Sequence, residues 1–307
     1  MVLCELPTDN FFFTWGVLTA LGIVSLFAFS GSLFYYSYVK VTYEKWIWKS
    51  NPKYPTPEKV RDEIRQMLKG AATGTLLPAM ALYLTRTGHS KAFCNAEKGY
   101  AYDAMSFICI WIGCDFIEWF YHYLGHRFVF MWQFHRAHHV FFNPSPFAVI
   151  ADEYVDMFFR SSPMLLIPLV FPINMDLLFG TFAIFFYGYG TFIHWGYEAT
   201  WLDAHNPIIN TPFQHYCHHA VSGRRTTYHT GFFFKIWDQL AGTEYEKECF
   251  CARCEQKKGK RTREAYEKVV KPDYSVLLQP SFWLTKDALQ FDKTVNEVKK
   301  QRGKEDL

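Results

Sequence analysis

A run of 30 residues without a charged side chain, residues 10–39, sets the first limit on the fold of this chain. As an α-helix the run would be about 45 Å long, enough to cross a hydrocarbon core of about 30 Å with some tilt. A cleaved signal peptide is a poor alternative, because Glu5 and Asp9 precede the run, its apolar part is too long, and the basic residues follow it. The run therefore predicts a membrane anchor.

Further apolar segments follow the anchor. The shorter uncharged runs are residues 70–85, 104–114, 161–175 and 177–193. Each is short for a full span, so we expect some of them to dip into the membrane and return. We predict an all-α fold, a multi-pass membrane helical bundle with about four to five membrane segments and a helical cap that carries the histidines.

The orientation of the bundle follows from its basic residues. Eight Lys and Arg residues lie between positions 40 and 69, so this segment is predicted to face the cytosol. Counting crossings from there places every histidine-rich stretch on the same cytosolic side. We divide the chain into an N-terminal anchor with a second membrane segment (1–103), a catalytic domain (104–245) and a charged cytosolic tail (246–307).

Composition excludes some function classes. The net charge of +3 is too small to indicate nucleic acid binding. No Gly-rich dinucleotide fingerprint follows a strand, so the chain is predicted to bind neither NADH nor flavin. Eight scattered cysteines on a reducing face predict no disulfide framework. The motif CFCARC (Cys249, Cys251, Cys254) would suit the start of a zinc site, but no fourth ligand is evident, and free or lipidated thiols are the alternative.

The apolar run 104–114 leads into a first group of metal-binding residue types. Asp115, Glu118, His122 and His126 are spaced three, four and four apart, so a continuing helix places all of them along one stripe. His122 and His126 are then able to share one metal, and the two carboxylates are candidates for holding the ring N–H groups as second-shell partners. The alternative is the polar face of an interfacial helix.

Two further motifs have identical H-x-x-H-H spacing. They are HRAHH, with His135, His138 and His139, and HYCHH, with His215, His218 and His219. Eight of the 12 histidines thus fall into three groups, which predicts multinuclear metal binding. Imidazole suits zinc, copper, iron and nickel. Two irons that activate O2 beside a lipid cavity fit best, and two zinc ions that hydrolyse a lipid ester remain the rival.

These motifs carry a resemblance to a known family. The order H-x-x-x-H, H-x-x-H-H, H-x-x-H-H, followed by WDQLAGT at 237–243, resembles the sterol desaturase/fatty acid hydroxylase superfamily of membrane enzymes over roughly residues 40–245. The stretches NPSPFA and FRSSP are similar to sterol Δ5-desaturases of the lathosterol oxidase type. ADEY (151–154) is closer to 4-methylsterol oxidases, and NTPFQHYCHH is similar to alkylglycerol monooxygenases.

The resemblance adds site residues. His194, at the end of a membrane segment, is a further ligand candidate, with a helix-capping role as the alternative. His229 stands where the superfamily usually has Asn, and is either an additional ligand or a substitute hydrogen-bonding residue. His205 is expected to be structural, and His89, beyond the second membrane segment, is excluded from the site.

The resemblance also implies an activity. Such enzymes bind two iron ions through histidines, use O2, and act on lipids in the endoplasmic reticulum membrane with the catalytic face in the cytosol. No catalytic residue beyond the metal ligands is predicted. We expect a sterol substrate and Δ5 desaturation, with cytochrome b5 and its reductase as electron donor near Arg224, Arg225 and the basic tail. A 4-methylsterol oxidase, an alkylglycerol or fatty acid hydroxylase, a membrane zinc hydrolase and a non-catalytic lipid-binding relative are the alternatives.

Overall fold

The computed structural model describes residues 9–224 and 226–286, and over these ranges the fold is helical, with isolated β-bridges but no strand. Arg225 and most of the basic tail, from residue 287, lie outside the described residues. The helices are α1 (Phe11–Phe34), α2 (Tyr43–Trp46), α3 (Pro57–Gly74), α4 (Leu76–Arg86), α5 (Tyr100–Arg127), α6 (Val129–His135), α7 (Tyr154–Arg160), α8 (Pro163–Val170), α9 (Met175–Thr181), α10 (Tyr189–Ile193), α11 (Pro212–Val221), α12 (Ile236–Ala241), α13 (Ala252–Lys257) and α14 (Arg263–Glu267).

Three stretches of the described chain are helical, long and apolar enough to cross a membrane: Phe11–Val39, Tyr100–Arg127 and Met175–Ile193. Short π-helical segments, Tyr35–Val39 and Phe182–Gly188, extend α1 and join α9 to α10. Large apolar side chains along these helices point outward, as lipid-facing positions require. The prediction of an all-α membrane bundle is confirmed.

All three spanning helices run in the same direction. At one face of the bundle, which we call the near face, the Tyr38 hydroxyl donates to the carbonyls of Pro144 and Trp195 at 3.2 and 2.9 Å, so the ends of the first and third spans lie close together. At the opposite, far face, the Tyr102 hydroxyl donates to the Pro172 carbonyl at 2.6 Å, where the second and third spans begin. The chain must therefore return twice between spans.

Shorter helices make the two returns. α3 and α4 lead from the near face to the start of α5, and α7 and α8 lead from the near face to α9. With 11 and 8 residues, α4 and α8 do not reach spanning length on their own. The structure thus has three continuous spans and two broken returns, where the uncharged runs predict about four to five membrane segments, some of them dipping in and returning.

A disulfide also departs from the sequence prediction. Cys94 is disulfide-bonded. It lies in the far-face loop between α4 and α5, where the backbone N–H of Phe93 donates to the Ile173 carbonyl at 2.9 Å. The prediction rested on a reducing environment at the near face, whereas Cys94 lies at the far face.

The near-face core is built on α3. Gly70 is packed so closely that an added Cβ would overlap the backbone carbonyl of Ile150. The Glu63 carboxylate is buried and accepts from the backbone N–H of Ser145 at 3.2 Å. Burial raises the pKa of Glu63 to about 8. These contacts fix α3 beneath the loop that follows the second histidine motif.

Candidate metal centre

Helix ends at the near face bring the histidine motifs together. His122 and His126 lie one turn apart at the end of α5, and His135 is the last residue of α6. His194 directly follows α10. The third motif lies on α11, where Thr211 and Gln214 form a reciprocal capping box that fixes the first turn.

Nine histidines form two clusters, and within each cluster the ligand nitrogens lie within 4.8 Å of one another. The first cluster contains His122, His126, His135, His139 and His218, and the second contains His138, His194, His215 and His219. Consecutive residues divide between them, because His138 and His139 point into different clusters, as do His218 and His219. The two clusters are therefore neighbours.

Hydrogen bonds to backbone carbonyls set the ring tautomers of the first cluster. The Nδ1 atoms of His122, His126 and His218 lie 2.9, 3.1 and 2.6 Å from the carbonyl oxygens of Thr230, Gly223 and Tyr228. A carbonyl oxygen only accepts, so each Nδ1 carries the hydrogen and each Nε2 offers a lone pair. This outer hydrogen bond is the usual support of a metal-binding histidine.

The inward-facing nitrogens are spaced as ligands of an ion. In the first cluster His139 Nε2 lies 3.1 Å from Nε2 of both His135 and His218. Two nitrogens about 2.1 Å from a shared ion are about 3.0–3.4 Å apart. Facing lone pairs at this distance repel each other unless a cation or a proton lies between them, so the arrangement fits a bound transition metal.

The second cluster has the same character. Nε2 of His194 lies 2.7 Å from that of His215 and 3.3 Å from that of His138, and its Nδ1 donates to the Gly190 carbonyl at 2.7 Å. Burial lowers the pKa of His194 to about 3. Burial, together with neighbouring imidazoles, also lowers the ring pKa well below its usual value at His138, His139, His215 and His219. These rings stay neutral near pH 7, as ligands must.

Two aspartates, one just before α7 and one within it, lie against one ring of each cluster. Asp156 Oδ2 lies 2.9 Å from His135 Nδ1, and Asp152 Oδ1 lies 3.2 Å from His138 Nδ1. Arg160 forms salt bridges with both Asp152 and Glu118, and its Nη1 lies 2.9 Å from Asp152 Oδ2. Burial raises the pKa of Asp152 to about 6 against the pull of Arg160. The pKa of Asp156 is lowered, since His135 and Arg160 outweigh its burial.

The sequence profile of the fatty acid hydroxylase family matches residues 107–243, a range that contains all nine clustered histidines. Residues 107–243 are thus similar to a fatty acid hydroxylase domain. The match lies inside the segment 104–245 for which a catalytic domain is predicted.

Curated relatives agree with this family. The chain is 28% identical over 196 residues to a Delta(7)-sterol 5(6)-desaturase of Gibberella zeae, covering 61% of this chain and 53% of the relative. It is 28% identical to a probable Delta(7)-sterol 5(6)-desaturase of Neurospora crassa, covering 76% and 63%. It is 28% identical to lathosterol oxidase of Rattus norvegicus, covering 74% and 73%. The chain thus spans less than two thirds of the two fungal relatives. No solved structure matches it.

Asp115 and Glu118, the two carboxylates predicted to support the histidine rings, make other contacts in the structure. Asp115 is fully buried and accepts from the Phe233 backbone N–H and from Trp237 Nε1, both at 2.7 Å. It lies two helical turns before His122, too far along α5 to reach that ring, and it fixes the segment after α11 instead. Glu118 is linked to His138 only through Arg160 and Asp152.

The remaining histidines lie outside both clusters. His229 adopts a left-handed conformation (φ 50°), and its Nε2 accepts from the Tyr245 backbone N–H at 3.3 Å. That contact fits the hydrogen-bonding alternative better than a ligand role. His89 is exposed at the far face, with Nδ1 3.1 Å from the Thr87 hydroxyl. His205 lies beside a group of cysteines, away from both clusters.

Sequence reasoning missed Asp152, Asp156 and Arg160. All three lie in the stretch ADEYVDMFFR, where the spacing of two aspartates and an arginine, four apart each time, was an available signal. Its meaning depends on where α7 lies relative to the second histidine motif, and that is a property of the fold.

An apolar cavity of about 770 Å³ leads from the lipid-facing helices toward the first cluster. Its walls include Leu21 and Phe29 of α1 and Phe186, while Tyr121 and Arg160 form a polar edge. The Tyr121 hydroxyl donates to Asp156 Oδ1 at 2.6 Å, so one hydrogen-bonded residue separates the cavity from His135. The volume lies within the range of about 300–1,000 Å³ that is typical of small-molecule sites.

Proposed function

We propose that this chain is a membrane oxidoreductase that introduces a double bond into a sterol, with the regiochemistry of a Δ5-desaturase, and that it uses O2 and two iron ions. The observation that carries the proposal is the pair of histidine clusters beside an apolar cavity. Nine imidazoles exceed what two four-coordinate zinc ions need. An all-imidazole set with outer carboxylates also suits iron.

The chain's residues divide the work of such a site. The five and four clustered histidines would hold the two ions, and bound iron would supply O2 activation and hydrogen removal from an unactivated C–H bond. The carbonyl and carboxylate partners fix the rings in place before substrate binds. Tyr121 holds a proton at the cavity edge, directed at Asp156. The buried surroundings of the clusters exclude water.

The cavity and the relatives support a sterol. The curated relatives carry the names Delta(7)-sterol 5(6)-desaturase and lathosterol oxidase. The cavity opens between α1 and the third span, so a lipid could enter it without passing through water. Its mainly apolar wall suits a fused-ring hydrocarbon skeleton, and the polar edge suits a hydroxyl group.

We also propose that the protein resides in the endoplasmic reticulum membrane with the near face in the cytosol. The basic segment 40–69 lies at the near face, and the disulfide-bonded Cys94 lies at the far face, as expected of an oxidising lumen. Cytochrome b5 and its reductase would then supply electrons from the cytosol. Arg224, half-buried on the near face, is the described part of the proposed docking site.

The test is a sterol profile, by gas chromatography–mass spectrometry, of yeast that lacks its own Δ7-sterol 5(6)-desaturase. The cells would express the wild-type chain, the variant His138→Ala/His139→Ala, or the control His89→Ala at the far face. We expect Δ5,7-sterol with the wild type and the control, and none with the double variant, because it removes one ligand from each cluster.

Absence of Δ5,7-sterol with wild-type protein present in the membrane would refute the Δ5 assignment, and 4-methylsterols and ether lipids would be profiled next. Purified protein that contains zinc without iron and does not consume O2 would refute the oxidoreductase and favour a zinc hydrolase.

A further inference from the structure

We propose that this chain carries a separate structural zinc site, formed by His205, Cys249, Cys251 and Cys254. These residues come from two segments more than 40 positions apart, the loop before α11 and the stretch that leads into α13. Their ligand atoms lie within 4.8 Å of one another. The fold thus supplies the fourth ligand that the motif CFCARC lacks in sequence.

The spacing of the ligand atoms matches tetrahedral zinc. Cys254 Sγ lies 3.5 Å from His205 Nε2. With Zn–S about 2.3 Å and Zn–N about 2.0–2.1 Å, a tetrahedron places sulfur and nitrogen about 3.6 Å apart and two sulfurs about 3.8 Å apart. The three cysteines are free thiols despite their proximity. A cysteine-rich set with one imidazole is a common structural zinc site.

The surroundings of His205 prepare it as a ligand. Asp203 Oδ1 lies 2.9 Å from His205 Nδ1, and Asp203 in turn pairs with Arg253. The carboxylate keeps the hydrogen on Nδ1, so Nε2 presents its lone pair to the cysteines. An exposed histidine with only a structural role would have no need of a ring orientation directed at three thiols.

Backbone donors prepare the thiolates. The backbone N–H of Cys251 donates to Cys249 Sγ at 3.5 Å, and that of Cys254 donates to Cys251 Sγ at 3.4 Å. Such donors stabilise sulfur that carries negative charge. Metal binding would convert the thiols to thiolates and release their protons to solvent.

The proposed zinc would brace the helix that carries the third histidine motif. Phe250, between two of the cysteines, packs against Phe213 of α11 with ring centroids 5.1 Å apart, and against Tyr216 at 6.0 Å. Gln214 reaches the Ala204 carbonyl at 2.8 Å. Both proposed ligand segments therefore lie against the face of α11 that points away from the clusters, and a zinc ion would lock them together.

Ligand softness separates this site from the histidine clusters. Thiolates favour zinc, whereas the clusters contain imidazole alone. X-ray absorption at the zinc edge distinguishes the two, because only the proposed site supplies sulfur. The full-length protein would be purified in detergent under reducing conditions after growth with added zinc, and its zinc content measured by mass spectrometry.

We expect zinc with sulfur neighbours at about 2.3 Å in the wild type. The variant Cys251→Ser/Cys254→Ser should lose that signal and about one zinc ion per chain, while His138→Ala/His139→Ala should keep both. Cys109→Ser, which removes an exposed thiol from α5, is the matched control and should match the wild type.

A conservative replacement keeps the test decisive if the double variant fails to fold. His205→Cys should retain zinc, now with four sulfur neighbours, because four thiolates also form a tetrahedral site. Wild-type zinc surrounded by nitrogen and oxygen alone, or an unchanged zinc content in a folded Cys251→Ser/Cys254→Ser variant, would overturn the proposal. Neither result bears on the sterol desaturase assignment, which rests on other residues.

Discussion

Asp152 accepts a hydrogen bond from Arg160 and lies close to the His138 ring, and replacing it with asparagine tests how far the outer shell controls the metal centre. Its Oδ1 faces His138 Nδ1 at 3.2 Å, and its Oδ2 faces Arg160 Nη1 at 2.9 Å. Asparagine has one acceptor oxygen and one NH2 group. If the oxygen turns to Arg160, the NH2 group meets the ring N–H of His138, and if it turns to His138, the NH2 group meets the guanidinium.

The size of the effect follows from the contact that is lost. The contact between the Asp152 carboxylate and the His138 ring is electrostatic, and a loss of about 1.4 kcal/mol corresponds to a factor of ten in affinity. If the loss falls on the His138 ring, Asp152→Asn weakens metal binding by the second cluster by about 10- to 100-fold. Replacement of outer-shell partners has this magnitude in other metal sites.

The assay measures iron retained per chain after dialysis against graded concentrations of a chelator. Glu153→Gln is the matched control, because Glu153 is adjacent and caps α7 through Val155 N–H, an acceptor role that glutamine preserves. We expect the control to follow the wild type and Asp152→Asn to release iron at about 10- to 100-fold lower chelator concentration. Identical release curves for all three proteins would refute the inferred support of His138 by Asp152.

Three further predictions concern other parts of the fold. Since burial raises the pKa of Glu63 to about 8, this residue stabilises the protein when protonated, and the contribution is lost as the pH rises from about 4.5 toward 8. Relative to Glu63→Gln, the wild type should lose up to about 1.4 kcal/mol of its free energy of unfolding per pH unit between about pH 6 and pH 8. If the melting temperatures of the two proteins changed equally over this pH range, the prediction would be wrong. Gly70→Ala should cost about 2–3 kcal/mol of stability and Gly113→Ala, with open space around it, almost none, as thermal unfolding would show. His229→Asn should retain the wild-type iron content, because His229 lies outside both clusters and asparagine tolerates its left-handed backbone. His194→Asn should lose iron, because His194 belongs to the second cluster. Loss of iron from His229→Asn would show that His229 is a ligand.

Much of the metal centre could be predicted because its pattern is local. His122 and His126 share a face of any helix that contains them, and repeated H-x-x-H-H spacing is uncommon in chains without a metal site. The contacts that support these rings are not local. Asp152 and Asp156 reach the histidines only because the chain turns back after the second motif, and His205 meets Cys254 across 49 positions of sequence.

The sequence was enough to predict the fold class, but not which segments cross the membrane as a single helix. Length without charge identifies α1 as a membrane helix whatever its neighbours are. The runs 70–85 and 161–175 are also uncharged, as the run in α1 is, yet neither forms one continuous helix. The first is interrupted at Thr75 and the second after Val170. Hydropathy measures solubility in lipid, and it does not record whether a segment crosses in one piece.

Adjacent histidines belong to different clusters, and this has a consequence for how the two clusters bind metal ions. His138 and His139, and likewise His218 and His219, share a stretch of backbone, so a shift that suits one cluster moves a ligand of the other. Occupancy of one position would therefore change the metal affinity of the other, a coupling between two sites. If the proposed iron ions occupy both clusters and each favours binding of the other, a population at limiting iron would consist chiefly of full and empty chains, and iron starvation would lower the number of active molecules rather than the activity of each.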